Sequence, residues 1–180
     1  MPSTFISGSR KKLASLGGAP NAHNLNFLMQ VQEQTNWCWS AVAVSTSHHY
    51  DAASNWIQCE VVNEELGQTT CCQNGSSALC NVPWYLDRAL TRTGNLDTVA
   101  SGRITFANLR QRIDASRAIG VRIGWNGGGG HFVILDGYNS NGTFVSVRDL
   151  WYGDSTITYN AIATAYQGNG SWTHTFITKP

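Results

Sequence analysis

The pattern of apolar and polar positions divides the chain into a helical first half and a strand-rich second half. Residues 37–53, WCWSAVAVSTSHHYDAA, contain neither Gly nor Pro and repeat small apolar residues at helical spacing, which predicts a largely buried helix. A short helix is predicted from about residue 83 to 91, because its leading proline suits a first turn. Thr105 has the character of a helix N-cap, and FANLRQRIDAS after it carries its apolar residues on one face.

The second half consists of short β-branched and aromatic runs separated by Gly and Asn turns. Five such runs are predicted as strands: AIGVRIGW, HFVILDGY, TFVSVRDLW, STITYN and WTHTFIT. YNAIATAYQ, between the last two, is a candidate helix. Helices followed by antiparallel strands predict an α+β fold.

The length of 180 residues favours a single domain. We place this domain at residues 30–180, with residues 54–82 as an irregular segment held by cysteines. Residues 1–29 are rich in Ser, Gly, Asn and Ala without a sustained period. They are predicted to be a flexible leader, or pro-segment, or an arm lying on the domain.

The charge of the chain excludes several classes of partner. Charged residues make up 13% and the formal net charge is +1, so no electrostatic field favours nucleic acid or an anionic membrane. No apolar run reaches the roughly 18 residues that a membrane span needs. The basic residues 10–12 are not followed by an apolar stretch, so a Sec-type signal is not visible. We expect a monomer with no nucleic-acid or membrane partner.

Four of the five cysteines lie between residues 59 and 80. Their spacing lacks the C-x(2 to 4)-C knuckle of a zinc site, so we expect no metal and no cofactor. Two disulfides are the favoured arrangement, with zinc or free thiols as alternatives. An adjacent pair is too strained to join, so Cys71 and Cys72 are each expected to pair with one of Cys59 and Cys80, in either order. Disulfides would imply that the protein matures in an oxidising compartment.

Cys38 stands apart from this cluster, between Trp37 and Trp39 and at the start of the first predicted helix. The unsatisfied N–H groups and the dipole at a helix N-terminus favour the thiolate, which is the reactive form of cysteine. The alternative is a small buried apolar residue. A base near the sulfur would decide between them.

His131 is the best-placed base. It follows four glycines, 127–130, and opens a strongly apolar strand, so its polar ring begins a buried element beside backbone that can approach a ligand closely. His48 and His49 lie about 16 Å along the same helix as Cys38 and cannot reach it. His23 falls in the predicted leader, and His174 in the last strand.

An imidazole base needs a third group that orients its ring. Asp149 ends the strand after that of His131, and a hairpin would bring it back beside the imidazole. Asp136 lies about 16 Å along His131's own strand and is disfavoured, and Asp154 is a third candidate. Gln32 and Gln34 precede Cys38 and could supply a side-chain amide for an oxyanion.

With Cys38, His131 and Asp149 in this order, the chain resembles papain-like cysteine peptidases. In that family a glutamine six residues before the nucleophile binds the oxyanion, and a tryptophan follows the third catalytic residue by two; these positions are Gln32 and Trp151. The third residue is often Asn, and here it is Asp. The stretches QTNWCWSA, GGGGHFVILDGY and VSVRDLWYGDS and the cysteine segment are most similar to the bacterial avirulence-type papain-like proteases.

The resemblance implies a two-lobed fold with a cleft between the lobes, and hydrolysis of a protein or peptide substrate through a thioester. It implies that Trp151 shields the His131 to Asp149 hydrogen bond, and that the protein is secreted or delivered outside the producing bacterium as an effector. The residues expected to bind substrate or support the site are Trp37, Trp39, Gly129, Gly130 and Trp151.

Proteases of this type can process their own N-terminus at a hydrophobic-x-x-hydrophobic-Gly-Gly sequence. Residues 13–19, LASLGGA, have this form, so cleavage between Gly17 and Gly18 is a further expectation.

Two other functions use the same residues. A thiol acyl-transferase or amidase, transglutaminase-like or directed at peptidoglycan, would apply the same triad to other amides. A binding module on a protease-like fold would carry the triad without using it.

Overall fold

The computed structural model describes residues 21–180. Its helices lie mainly in the first half of the chain, as the periodicity predicted. They are α1 (Cys38–Tyr50), α2 (Gln58–Leu66), α3 (Leu86–Arg92), α4 (Phe106–Asp114) and α5 (Tyr159–Thr164). Thr105 caps α4, because its hydroxyl oxygen accepts a hydrogen bond from the backbone N–H of Asn108 at 3.2 Å.

The strands of residues 21–180 form one antiparallel sheet. They are β1 (Ala22–Asn24), β2 (Leu96–Ser101), β3 (Ile119–Trp125), β4 (Gly130–Asn139), β5 (Phe144–Arg148), β6 (Ser155–Thr158) and β7 (Gly170–Thr178). Their order across the sheet is β2-β7-β3-β4-β5-β6, and β1 also pairs with β4. The predicted α+β class is therefore confirmed.

The sheet lies between two layers of helices. Phe132 and Ile134 of β4 belong to the apolar cluster that α1, α2 and α3 form, whereas Val133 and Leu135 pack into a second cluster with α4 and α5. Successive side chains of a strand point to opposite faces. Burial on both faces explains why β4 reads as an uninterrupted apolar run.

Two elements within the predicted domain, residues 30–180, differ from the predictions made from sequence. Residues 54–82 are not wholly irregular, because they include α2, which buries Val61 and Val62 and ends at Gly67 with φ 63°. Strand β2 was missed because it is an edge strand whose residues are mostly exposed, so it has no buried face to produce an alternating pattern.

The segment before the predicted domain boundary contacts the domain. β1 pairs antiparallel with β4, and Phe27 is buried with its backbone N–H donating to Asp136 Oδ2 at 3.0 Å. Residues 21–29 therefore lie on the domain as an arm, which was one of the two predicted arrangements. They are not a free leader, because their backbone and Phe27 are bonded to β4.

Two disulfides hold the segment after α1. They join Cys59 to Cys72 and Cys71 to Cys80, so each member of the adjacent pair bonds an outer cysteine, as the spacing predicted. Within residues 21–180, no helix combines the length and apolar character that a membrane crossing requires.

Candidate active site

Cys38 is the first residue of α1 and is partly exposed. It is the one cysteine of residues 21–180 outside a disulfide. No side chain caps the first turn of α1, so the helix N-terminus and its backbone N–H groups remain open beside the sulfur. The thiol lies in a cleft of about 340 Å³ that His131 also lines.

The tryptophans on either side of Cys38 are buried and point away from the cleft. The indole N–H of Trp37 donates to the carbonyl oxygen of Cys80 at 2.9 Å, and that of Trp39 donates to the carbonyl of Val82 at 3.1 Å. Both side chains therefore support the nucleophile by anchoring it to the disulfide-bonded segment. Because they are buried, they are not surfaces for substrate.

His131 lies at the start of β4, opposite Ile123 of β3. Its Nε2 lies 2.8 Å from Asp149 Oδ1, and its ring lines the same cleft as the thiol of Cys38. Because Nε2 faces the carboxylate, Nδ1 is the nitrogen that faces the sulfur. The three side chains that the sequence selected are thus brought together around His131.

The environment of His131 favours its protonated form. Burial lowers the pKa of the imidazole, but the interactions of the ring with Asp149 and Cys38 outweigh burial and raise the pKa from 6.5 to about 9. At neutral pH the ring is therefore an imidazolium.

Asp149 directly follows β5 and is buried. The antiparallel pairing of β5 with β4 returns it beside His131, as the predicted hairpin required. Its Oδ1 also accepts the backbone N–H groups of Trp151 at 2.7 Å and Tyr152 at 3.0 Å, and its Oδ2 accepts the Tyr166 hydroxyl at 2.6 Å. Burial raises the pKa of Asp149, but these bonds and the charge of His131 leave it lower than usual, so the carboxylate stays ionised.

The other candidate carboxylates have structural partners. Asp136 is buried and its Oδ2 accepts the guanidinium Nε of Arg148 at 2.8 Å. Asp154 accepts Nη1 of the same arginine at 2.6 Å. Neither lines the cleft with Cys38, so Asp149 is the carboxylate that the structure brings to His131.

The remaining histidines also lie outside this cleft. His23 is paired with Asp114, His48 contacts the carbonyl of Trp56, and His49 packs against Phe27. His174 is exposed on β7.

The aromatic rings beside the His131 to Asp149 pair differ from the resemblance, which implied the ring of Trp151. Trp125 lies nearly parallel to the imidazole, with ring centroids 6.3 Å apart, and Tyr152 meets it edge-on at 6.2 Å. The Trp151 side chain is 57% exposed, although its residue lines the cleft and its backbone N–H binds Asp149. The rings that flank the imidazole are thus Trp125 and Tyr152, whereas Trp151 is mostly exposed.

The glycines before His131 allow a close approach by Arg122. Its Nη2 donates to the carbonyl of Gly129 at 3.1 Å, where the backbone has φ +80°. A Cβ on Gly130 would lie 2.8 Å from the guanidinium carbon and 2.9 Å from the carbonyl oxygen of Ile123. Gly130 therefore leaves the space in which Arg122 packs against the turn that leads to His131.

Gln32 lines the cleft with Cys38, as its predicted role requires. However, its Nε2 donates to the backbone carbonyls of Gln34 and Thr35, both at 2.8 Å. A primary amide has two N–H groups, and both have acceptors here. Gln32 can bind an oxyanion only if one of these carbonyls releases its N–H. Gln34, the other candidate amide, contacts Gln32 through its backbone carbonyl.

Three aromatic residues near the site were not selected from the sequence: Trp125, Tyr152 and Tyr166. Trp125 is the last residue of β3, and β3 pairs with β4, so strand pairing brings Trp125 close to His131. Tyr166 lies in a turn after α5, and no local pattern signals its contact with Asp149.

A thiol at the start of a helix shares a cleft with an imidazole that is hydrogen-bonded to a buried carboxylate, and this arrangement defines a thiol hydrolase. The family profile described as papain-like cysteine protease AvrRpt2 matches residues 20–163. The chain belongs to this family, and it is a cysteine protease. The resemblance stated from the sequence is thereby confirmed.

The solved structure of one cysteine protease shares the fold. Xylellain, a cysteine protease from Xylella fastidiosa, is 10% identical over 91% of this chain and 88% of its own, with a TM-score of 0.50. A double glycine motif protease from an AMS/PCAT transporter, solved with its leader peptide, is 17% identical over 88% and 95%, with a TM-score of 0.49. The Pseudomonas avirulence protein AvrPphB is 12% identical over 86% and 98%, with a TM-score of 0.39. A search of curated proteins found no significant match.

Proposed function

We propose that this protease cleaves peptide bonds with a Cys38, His131 and Asp149 triad, through a thioester acyl-enzyme. The observation that carries the proposal is the placement of His131, whose ring shares a cleft with the Cys38 thiol and is hydrogen-bonded to the buried Asp149 carboxylate at 2.8 Å. A buried carboxylate that stays ionised orients the ring, and the ring in turn holds the thiolate.

The reaction then proceeds in two halves. The Cys38 thiolate attacks the substrate carbonyl, and His131 Nδ1–H gives its proton to the leaving amine as the carbon–nitrogen bond breaks. Nδ1, now neutral, takes a proton from water, whose oxygen attacks the thioester. Breaking the carbon–sulfur bond releases the acid and restores the thiolate and imidazolium.

The oxyanion of each tetrahedral intermediate would be bound by the backbone N–H of Cys38 and by Gln32. The open first turn of α1 supports the first donor. For the second, the developing negative charge would compete with the carbonyls of Gln34 and Thr35 for one N–H, and a charged acceptor forms the stronger hydrogen bond.

The triad is tested with a peptide substrate and three variants, Cys38→Ala, His131→Ala and Asp154→Ala. The first two should have no measurable turnover. The third removes an exposed carboxylate that pairs with Arg148 outside the cleft, and should keep kcat within about threefold. Turnover by Cys38→Ala at the rate of the unmodified protein would refute the proposal.

We further propose that the protease cuts its own chain between Gly17 and Gly18, and that it acts outside the producing bacterium as an effector. Gly17 and Gly18 lie outside the described residues. The support for this cut is the sequence LASLGGA, which has the hydrophobic-x-x-hydrophobic-Gly-Gly form. Disulfides within the domain support folding in an oxidising compartment.

Mass spectrometry of the purified chain decides the self-cleavage. The active protein should begin at Gly18, whereas Cys38→Ala should keep its full N-terminus until active protein is added. Gly17→Val in the active protein should block the cut while leaving turnover of an unrelated peptide unchanged. Identical intact N-termini in all forms would rule out self-cleavage without affecting the triad.

A further inference from the structure

Asp149 is held from both of its oxygens. Oδ1 accepts three hydrogen bonds, from the His131 ring and from the backbone N–H groups of Trp151 and Tyr152. Oδ2 accepts the Tyr166 hydroxyl at 2.6 Å. Within residues 21–180, Tyr166 is the one side chain that bonds Oδ2, so its hydroxyl satisfies an otherwise unpaired buried oxygen.

The direction of this bond is set by protonation. Burial, the hydrogen bond to Asp149 and the negative charge of that carboxylate together raise the pKa of Tyr166. Its hydroxyl therefore stays protonated and acts as the donor over the whole range in which a cysteine protease works. The carboxylate, in turn, is the acceptor from both Tyr166 and His131.

Tyr166 is itself rigidly placed. Its backbone N–H and carbonyl both pair with Gly170, at 2.8 Å each, which closes the turn before β7. Its ring lies nearly parallel to Trp125 with centroids 6.5 Å apart, and Trp125 also lies along the His131 ring. A Cβ on Gly170 would come within 2.6 Å of the Trp125 ring, so this turn is shaped around the aromatic contact.

We propose that Tyr166 is a positioning residue of the protease reaction. Its hydrogen bond fixes the plane of the Asp149 carboxylate, so that Oδ1 stays aligned with His131 Nε2–H and Nδ1 stays directed at Cys38. Without the hydroxyl, Oδ2 has no partner and the carboxylate is held through Oδ1 alone, so its plane can tilt about the Cβ–Cγ bond. The inference rests on the proposed triad.

The test is Tyr166→Phe, which removes the hydroxyl and keeps the ring in its place. We expect kcat to fall about tenfold, the effect of one hydrogen bond to a charged group, with KM within about twofold. The matched control is Tyr159→Phe, which removes a hydroxyl bonded to the backbone carbonyl of Ile104 outside the cleft; its kcat should stay within about twofold. Circular dichroism verifies that both variants are folded.

A double-mutant cycle separates positioning from a merely structural role. If Tyr166 acts through Asp149, Tyr166→Phe should change kcat by less than about twofold in an Asp149→Ala background. An equal loss in both backgrounds, or no loss in the unmodified protein, would overturn the inference. Full turnover by Asp149→Ala alone would instead refute the triad, so the two failures are distinguishable.

Discussion

The indole N–H of Trp37 donates to the carbonyl oxygen of Cys80 at 2.9 Å. This bond joins the residue before the nucleophile to the end of the Cys71 to Cys80 disulfide. The neighbouring residues are joined as well, because the backbone N–H of Asn36 donates to Asn81 Oδ1 at 2.9 Å. The disulfide-bonded segment therefore forms part of the structure that holds Cys38 at the start of α1.

The first prediction concerns this disulfide. Replacing Cys71 and Cys80 together with Ser should lower the free energy of unfolding by about 2–4 kcal/mol and slow alkylation of Cys38 by iodoacetamide, because the Trp37 anchor loosens. The matched control replaces Cys59 and Cys72, whose disulfide is exposed at Cys72. It should lose similar stability in urea unfolding while Cys38 keeps its alkylation rate. Equal alkylation rates in the two double variants would contradict the prediction.

The second prediction concerns pH. With the pKa of His131 raised to about 9, kcat/KM should fall on the alkaline side near pH 9, where the imidazolium loses its proton. Asp149→Asn removes a charge that raises this pKa, so the alkaline limb should move to lower pH. The measurement is kcat/KM against pH for both proteins, and an unmoved limb would count against the assigned partner.

The same raised pKa affects stability. A group whose folded pKa lies above its unfolded value contributes stability that is full below the unfolded pKa and lost as pH rises through the folded one. His131 should therefore stabilise the protein fully below about pH 6.5, with the contribution lost by about pH 9. In urea unfolding, the free energy of unfolding of the unmodified protein should therefore fall between these two pH values. His131→Ala should lack this part of the fall.

The third prediction concerns Gln32. Gln32→Ala should lower kcat by about 10²-fold to 10³-fold, the usual effect of losing one oxyanion donor. Gln73→Ala, which removes an exposed glutamine from the disulfide-bonded segment, should leave kcat unchanged. A loss in KM alone for Gln32→Ala would show that the amide binds the substrate rather than the oxyanion.

The fourth prediction concerns the glycines before His131. Gly130→Ala should destabilise the protein by about 1–3 kcal/mol, since its Cβ would overlap the Arg122 guanidinium and the Ile123 carbonyl. Turnover should also fall, because His131 follows directly. Gly127→Ala is the control, as a Cβ there meets nothing within 4 Å. Thermal unfolding and kcat of the two variants check the prediction, and similar behaviour of both would argue against it.

The sequence by itself determined the α+β class, most of the helices and strands, and the order of the residues that could form a triad. Those features depend on local patterns: the period of apolar residues, a capping threonine, glycines before a histidine, and a hairpin that returns Asp149 to His131. The pairing rule for the cysteines also followed from spacing alone, because adjacent cysteines resist joining.

The tertiary structure alone decided which disulfide partners were chosen, that β1 and β2 join the sheet, and that Trp125 and Tyr152 rather than the Trp151 ring flank the imidazole. It also decided that the Gln32 amide is bonded to two backbone carbonyls and that Tyr166 reaches Asp149. These contacts join residues far apart in the chain or on exposed edges. They leave no periodic mark in the sequence, since which residues meet is set by the packing of the sheet and helices.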